Sequence, residues 1–242
     1  MKLIKLDAID STNEFLKGLS NKQELENFTV VTAEHQTKGK GQMGAVWTSE
    51  ASKNLIMSLL VKDFLVDICQ IFNLNIAVSL AVIEVLESVK IPNLSIKWPN
   101  DIMSYNKKIG GILIENSIKS DGTINSIVGL GLNVNQTNFD NLPKASSLAV
   151  ISETKFNKDE LLLLICDAIK KNVKFCKQSP EGLWSNYSNF LYKKGLPMPF
   201  ADQKNNNFMG IIQGVSHVGK LQVLLEDDSI AEYDVKEIQM LY

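Results

Sequence analysis

Four short segments carry residue types that could do chemistry. Gly39-Lys40-Gly41-Gln42-Met43-Gly44 repeats glycine at a spacing that lets backbone N–H groups converge on an anion, with Lys38 and Lys40 adding charge. The same segment fits a Gly-x-Gly-x-x-Gly pattern and, with Ala45-Val46, the nucleotide loop of protein kinases. Its context speaks against both. A dinucleotide fold needs a strand before the glycines and a helix after them, but Trp47-Thr48-Ser49-Glu50 and then a strand follow here. No His-Arg-Asp and no Asp-Phe-Gly occurs. By itself the segment is equally a surface loop. Lys97-Trp98-Pro99-Asn100-Asp101 puts an ammonium, an amide and a carboxylate on one corner, which Pro99 stiffens by disfavouring a helical Trp98. An ordinary Pro-Asn turn has the same appearance. Lys108-Ile109-Gly110-Gly111-Ile112-Leu113-Ile114-Glu115 sets a lysine before two glycines inside a strand. Paired glycines weaken a strand unless something approaches its backbone, so a bulge or a ligand laid across it is implied. Gly129-Leu130-Gly131-Leu132-Asn133-Val134 clears one face of the next strand and ends on an amide that can both donate and accept.

The elements that must position these segments follow from hydrophobic period and turn chemistry. Strands are predicted over Lys2–Leu6, Phe28–Ala33, Asn54–Lys62 and Leu94–Lys97. Asp101–Tyr105 and Lys108–Ile118 form a hairpin across Asn106-Lys107, and Asp121-Gly122 turns into Thr123–Val134. Glu34–Trp47 reads as a loop. Ser11 with Glu14 three residues on is a capping-box pattern that opens a helix. Further helices are predicted over Gln70–Val89, over Lys158–Lys177 behind an Asn157 cap, and over Pro180–Lys194 with Gly195 as its stop. After Leu196 the pattern changes to short strands, Phe208–Ser216, Lys220–Leu225 and Ile230–Val235, which read as a small β-barrel or sandwich. The fold class is therefore α+β: a mixed, mostly antiparallel sheet with flanking helices over residues 1–195, and a small β unit over 196–242.

Composition narrows the function classes. Of 242 residues, 25 are Lys or Arg and 27 are Asp or Glu, for a net charge of −2. That argues against a dedicated nucleic-acid binder. The first residues carry no signal-peptide pattern, and no stretch reads as apolar enough to span a membrane, so a cytosolic location is expected. Three cysteines, Cys69, Cys166 and Cys176, fit a reducing compartment. The last two share a predicted helix about 15 Å apart, too far for a disulfide. Two histidines, with no Cys-x-x-Cys and no His-Glu-x-x-His, give no support to a zinc enzyme, and no Gly-x-Ser-x-Gly elbow supports a serine hydrolase.

Taken in order, Ser11-Thr12-Asn13, the glycine loop, Lys97–Asp101, Lys108–Gly111 and Gly129–Asn133 resemble the biotin protein ligase family, from about residue 3 to the C-terminus. The segments after Gly195 resemble that family's SH3-like domain. Longer relatives carry a DNA-binding winged helix ahead of the ligase domain. The first motif here begins at Asp10, so a short form with no repressor role, no nucleic-acid partner and no membrane partner is expected.

The resemblance implies an enzyme that joins biotin to ATP as biotinyl-5′-adenylate. It then transfers biotin to a lysine of the biotin carboxyl carrier protein domain of acetyl-CoA carboxylase. The first step brings two anions together. At ~4 Å their repulsion costs about 1 kcal/mol in water and about 4 kcal/mol at an effective dielectric near 20. By the resemblance, Lys108, Lys97 and Lys40 are the catalytic cations, and Mg²⁺ bridges the phosphates without a defined protein ligand. Ser11, Thr12, Asn13, Gln36, Gly39, Lys40, Gly41, Gln42 and Lys108 contact biotin, and Gly110, Gly111, Gly129 and Gly131 form the floor of its slot. Trp47, Asn100, Asp101 and Asn133 serve ATP. The family's loop is Gly-Arg-Gly-Arg-x-Gly; Lys40 keeps the charge without the fork geometry, Gln42 loses the charge, and weaker retention of the adenylate follows. The loop is also expected to be poorly ordered without ligand, and relatives often pair as homodimers. Other readings are a lipoate or octanoate ligase-type transferase, a non-catalytic biotin binder, and a carrier-binding module built on the β tail.

Overall fold

The computed structural model describes residues 1–64, 71–118 and 122–242. Seven strands form one mixed sheet: β1 (Leu3–Ile9), β2 (Val30–Gln36), β3 (Leu55–Lys62), β4 (Leu94–Lys97), β5 (Asp101–Ser104), β6 (Lys107–Ile118) and β7 (Ile124–Leu132), in the order β1-β2-β3-β7-β6-β5-β4. Among the described residues of this sheet only the β1–β2 pair is parallel, in keeping with a mostly antiparallel sheet. Helix α1 (Thr12–Lys22) makes the crossover between β1 and β2.

The sheet is covered on both faces. Leu16 of α1 packs with Val31, Leu60 and Ile127 on one side. On the other, α2 (Ile71–Ser88), α4 (Lys158–Gln178) and α5 (Pro180–Phe190) close over Leu59, Leu130 and Ile112. Double coverage explains why β3 reads as a nearly unbroken apolar run, Leu-Ile-Met-Ser-Leu-Leu-Val. The short helix α3 (Leu148–Ser152) has no counterpart in the hydrophobic pattern. Helix α2 corrects one expectation: by length and composition it is apolar enough to cross a membrane, with a mean hydropathy of 1.6. It is the core helix of this fold, and Leu74, Val78, Ala81 and Leu86 are fully buried.

Several boundaries move for identifiable reasons. Strand β2 runs on to Gln36 because β1 pairs with it as far as Ile9–Gln36, so the polar Glu34–Gln36 is strand and not loop. Beyond it, Lys40 bridges Val46, and Gly41 N–H reaches the Ala45 carbonyl at 2.7 Å, so the glycine segment takes the form of a tight hairpin. The capping box at α1 is half made: Ser11 Oγ accepts from Glu14 N–H at 3.5 Å, but the Glu14 carboxylate turns to Lys40 at 2.6 Å. Asn157 caps α4 as expected, accepting from Asp159 and Glu160 N–H. The β5–β6 turn lies at Tyr105-Asn106, one residue early, with Tyr105 at φ 53°. Helix α5 stops at Phe190, not Lys194, because Leu191 bridges Ile96 and Tyr192 N–H bonds the Ile96 carbonyl. Gly195 instead donates to Ile212 of the second sheet. Cys69, Gln70 and the Asp121 half of the Asp121-Gly122 turn lie outside the described residues.

The second sheet has five antiparallel strands, β8 (Pro197–Asp202), β9 (Asn207–Val215), β10 (Leu221–Leu224), β11 (Ile230–Tyr233) and β12 (Ile238–Met240), in the order β11-β10-β9-β8-β12. Its Phe200, Ile212, Leu221 and Val223 belong to the same buried cluster as α2 and β4. Trp98 Nε1 donates to the Gly219 carbonyl at 2.8 Å, and His217 meets Trp184 edge-on at 5.1 Å.

Candidate active site

A cavity of about 250 Å³ opens between the N-terminus of α1, the glycine hairpin, the ends of β6 and β7, and the Val235-Lys236 turn of the second sheet. It brings together Ser11, Thr12, Asn13, Gln36, Lys40, Gly41, Gln42, Trp47, Asn100, Asp101, Lys108, Gly111, Gly129 and Gly131. Four other residues singled out from the sequence stand off its wall. Gly39 closes the base of the hairpin, taking Trp47 N–H on its carbonyl. Gly110 pairs with Leu132 and Ile102 inside the sheet. Asn133 is buried and bonds the Ser146 carbonyl at 3.0 Å. Lys97 points to Tyr242, with Nζ 3.3 Å from the phenol oxygen and 4.5 Å from the ring centre.

One end of the cavity is a hydrogen-bonded corner. Thr12 N–H donates to Gln36 Oε1 at 2.8 Å. Ser58, fully buried on β3, lies 2.7 Å from Thr12 Oγ1 and 2.6 Å from Asn13 Oδ1. Asn13 Nδ2 donates to Glu115 at 2.8 Å. Gly129 makes this possible, since a Cβ there would stand 2.4 Å from Asn13 Oδ1. Sequence reasoning missed Ser58 as a site residue; the signal was one hydroxyl inside an apolar strand. It also gave Glu115 no role, although Glu115 closes a segment already singled out.

The other end is cationic. Register shifts between Ile102 and Met103, leaving Ile109 as the extra residue of a bulge in β6. Ile109 turns into the core, and Lys108 comes to lie alongside Gly111, its Nζ 2.6 Å from Asp101 Oδ1. The bulge and the ligand-facing lysine are thus one feature. The Asp101 corner is fastened by Asn100, whose Nδ2 bonds the Ile112 carbonyl, and by Asn75, which holds the Pro99 carbonyl at 2.6 Å. Trp47 lies across the strands, so close that a Cβ at Gly131 would stand 2.5 Å from its indole. Lys108 Nζ is 5.9 Å from the ring, and the indole N–H is buried without a partner among the described residues.

Carboxylates partner most of the loop's cations. Lys38 holds Asp10 below the usual carboxylate range at 2.8 Å, and Lys40 does the same to Glu14. Glu14 in return raises the Lys40 ammonium above its ordinary value. Burial pushes Lys97 down, opposed by Asp101. Lys236 also lines the cavity and donates to the Met43 carbonyl at the hairpin tip, a contact the sequence gave no hint of. Among the described residues no three acidic, histidine or cysteine side chains converge to hold a metal ion. Asp101 is the carboxylate on the cavity wall.

A hydrogen-bonding corner, a glycine floor and a lysine beside a glycine-rich hairpin thus meet in one cavity on a mixed sheet. The chain belongs to the biotin/lipoate A/B protein ligase family, whose model matches residues 6–133. Across 99% of this chain and 98% of its own, the biotin protein ligase from Aquifex aeolicus, solved in complex with biotin and ATP, shares the fold with a TM-score of 0.82 and 28% identity. The bifunctional ligase/repressor BirA of Bacillus spizizenii is 33% identical over 171 residues, 68% of this chain and 52% of that protein. The Escherichia coli protein of the same name is 27% identical over 93% of this chain and 69% of its own length. The chain thus spans about half the length of the Bacillus relative.

Proposed function

We propose that this chain is a biotin protein ligase: it converts biotin and ATP to biotinyl-5′-adenylate and passes biotin to a lysine of a carrier domain. The observation that carries the reading is Lys108, set beside Gly111 by the β6 bulge at the cationic end of a cavity whose other end is a polar corner. In this reading Ser11, Thr12, Asn13 and Gln36 receive the ureido ring, and Gly111, Gly129 and Gly131 with Gly110 floor the slot. Lys108 and Lys40 offset the repulsion between carboxylate and α-phosphate, most strongly as charge moves onto pyrophosphate. Lys97 acts from the neighbouring corner. Gly39, Gly41 and Gln42 shape the hairpin over the adenylate and exclude water. Trp47 with its free indole N–H, Asn100 and Asp101 meet the nucleotide, with Asn133 supporting the strand end behind them. Mg²⁺ brought in with the nucleotide would supply charge neutralisation at the phosphates, and Asp101, the cavity-wall carboxylate now paired with Lys108, is the residue that would help hold it.

The carrier partner in this reading is the biotin carboxyl carrier domain of acetyl-CoA carboxylase. Residues 1–195 form the catalytic unit and 196–242 an SH3-like unit, two copies pair, and the protein works in the cytosol. Buried thiols at Cys166 and Cys176 suit that compartment. The test is to incubate the protein with biotin, ATP, Mg²⁺ and a carrier domain, then weigh the carrier. A mass gain of one biotinyl group, absent with lipoate or octanoate, is expected. An unmodified carrier with no pyrophosphate released overturns the reading.

A further inference from the structure

The hydroxyl protons around Thr12 can be placed by counting. Asn13 Nδ2 donates to Glu115 Oε2 at 2.8 Å and, more weakly, toward the Leu113 carbonyl at 3.4 Å. Both are acceptors, so the amide oxygen of Asn13 faces the other way, onto Ser58 Oγ at 2.6 Å. An amide oxygen only accepts, and the single Ser58 proton is therefore committed to Asn13. The single Thr12 hydroxyl proton then has two acceptors within reach, Ser58 Oγ at 2.7 Å and Gln36 Oε1 at 3.0 Å, and is spent on one of them. Gln36 Oε1 is satisfied by Thr12 N–H. At the cavity wall, then, Thr12 Oγ1 offers lone pairs only. Gln36 Nε2 keeps its donors and has no acceptor among the described residues.

We propose that Glu115 and Ser58, neither of which lines the cavity, are positioning residues that fix the hydrogen-bond polarity of its ring end. The corner is set to accept from one N–H and donate to one carbonyl, which is the pattern of a cyclic urea. The inference rests on the biotin reading and adds the device that selects this acid. An acyl acid without the urea leaves Thr12 and Gln36 unpaired, and a site built to hydrogen-bond its substrate rejects an analogue that lacks the partner groups. The strands are built around this relay. Ser58 sits opposite Gly129 in register, the position where a side chain would displace Asn13.

The test measures affinity for biotin and for its two ring-N-methyl derivatives in the wild-type chain and in Ser58→Ala, Glu115→Met and Glu115→Gln. Ser58→Ala and Glu115→Met are expected to weaken biotin about tenfold or more. Glu115→Gln keeps most of the affinity, because its amide oxygen still accepts from Asn13. On the methylated derivative that cannot donate to Thr12, wild type and variants should differ far less. Variants that bind biotin like wild type overturn the proposal. So does an equal loss on all three ligands, which marks a purely structural role, or a Glu115→Gln as weak as Glu115→Met. Wild-type protein that binds no biotin overturns the ligase reading itself, and the relay with it.

Discussion

At the scale of single residues, burial and close approach decide more than residue type. Burial holds the Lys97 ammonium below the ordinary lysine value, so its charge is lost as pH rises through that lowered pKa. If Lys97 serves catalysis, pyrophosphate release should fall on the alkaline side earlier than free lysine would titrate. Lys97→Arg should move that limb upward, since a guanidinium keeps its proton; an unmoved limb removes Lys97 from the chemistry. Gly131 matters through its missing Cβ, which would stand 2.5 Å from Trp47. Gly131→Ala must displace the indole, at a cost of about 1–3 kcal/mol. The expected result is a KM for ATP raised about tenfold or more with the fold retained by circular dichroism. Cys166 is inert for a related reason: burial pushes its thiol up to about 12, so little thiolate forms at pH 8. Alkylation of native protein followed by peptide mass spectrometry should find Cys166 unmodified until the chain is denatured.

At the scale of elements, the hairpin from Gly39 to Trp47 is where this chain departs most from the pattern it resembles. Gln42 lines the cavity with a neutral amide where the pattern has an arginine, and Lys40 is already paired with Glu14. Gln42→Arg should slow the escape of the adenylate, measured as the off-rate of labelled biotinyl-adenylate; an unchanged or faster rate counts against a retention defect. The elements themselves were largely legible. Period-3.6 apolar spacing located α2, the Asn157 cap marked the start of α4, and turn chemistry beside β-rich runs located β3, β6 and β7, because those segments bury the faces their patterns advertise. Strand β8 was hidden by Pro197 and Pro199, and β12 is only three residues long. The end of α5 was misjudged because a tertiary contact, Leu191 with Ile96, stops it before its glycine. Motif order located the lysines and glycines of the site, but no local pattern could reveal that Ser58 on β3 and Glu115 on β6 meet α1.

At the scale of the whole molecule, both sheets rest on one buried cluster that includes Phe200, Ile212 and Val223 alongside α2. Truncation after Gly195 should therefore destabilise the entire chain instead of leaving an adenylating fragment. Calorimetry of the full chain should show a single transition; two well-separated transitions would refute the shared core. The 242 residues contain no arginine, so each positive side chain around the cavity is a flexible ammonium. That gives the Lys236 contact with Met43 a bearing on traffic at the doorway. Met43 stands at the tip of the glycine hairpin and Lys236 in a turn of the second sheet, both on the cavity wall, so under the proposed function a carrier lysine entering between them would pass both. A photo-crosslinker placed at Met43 or at Lys236 should capture the same visitor, which makes either position a reporter for whatever docks there.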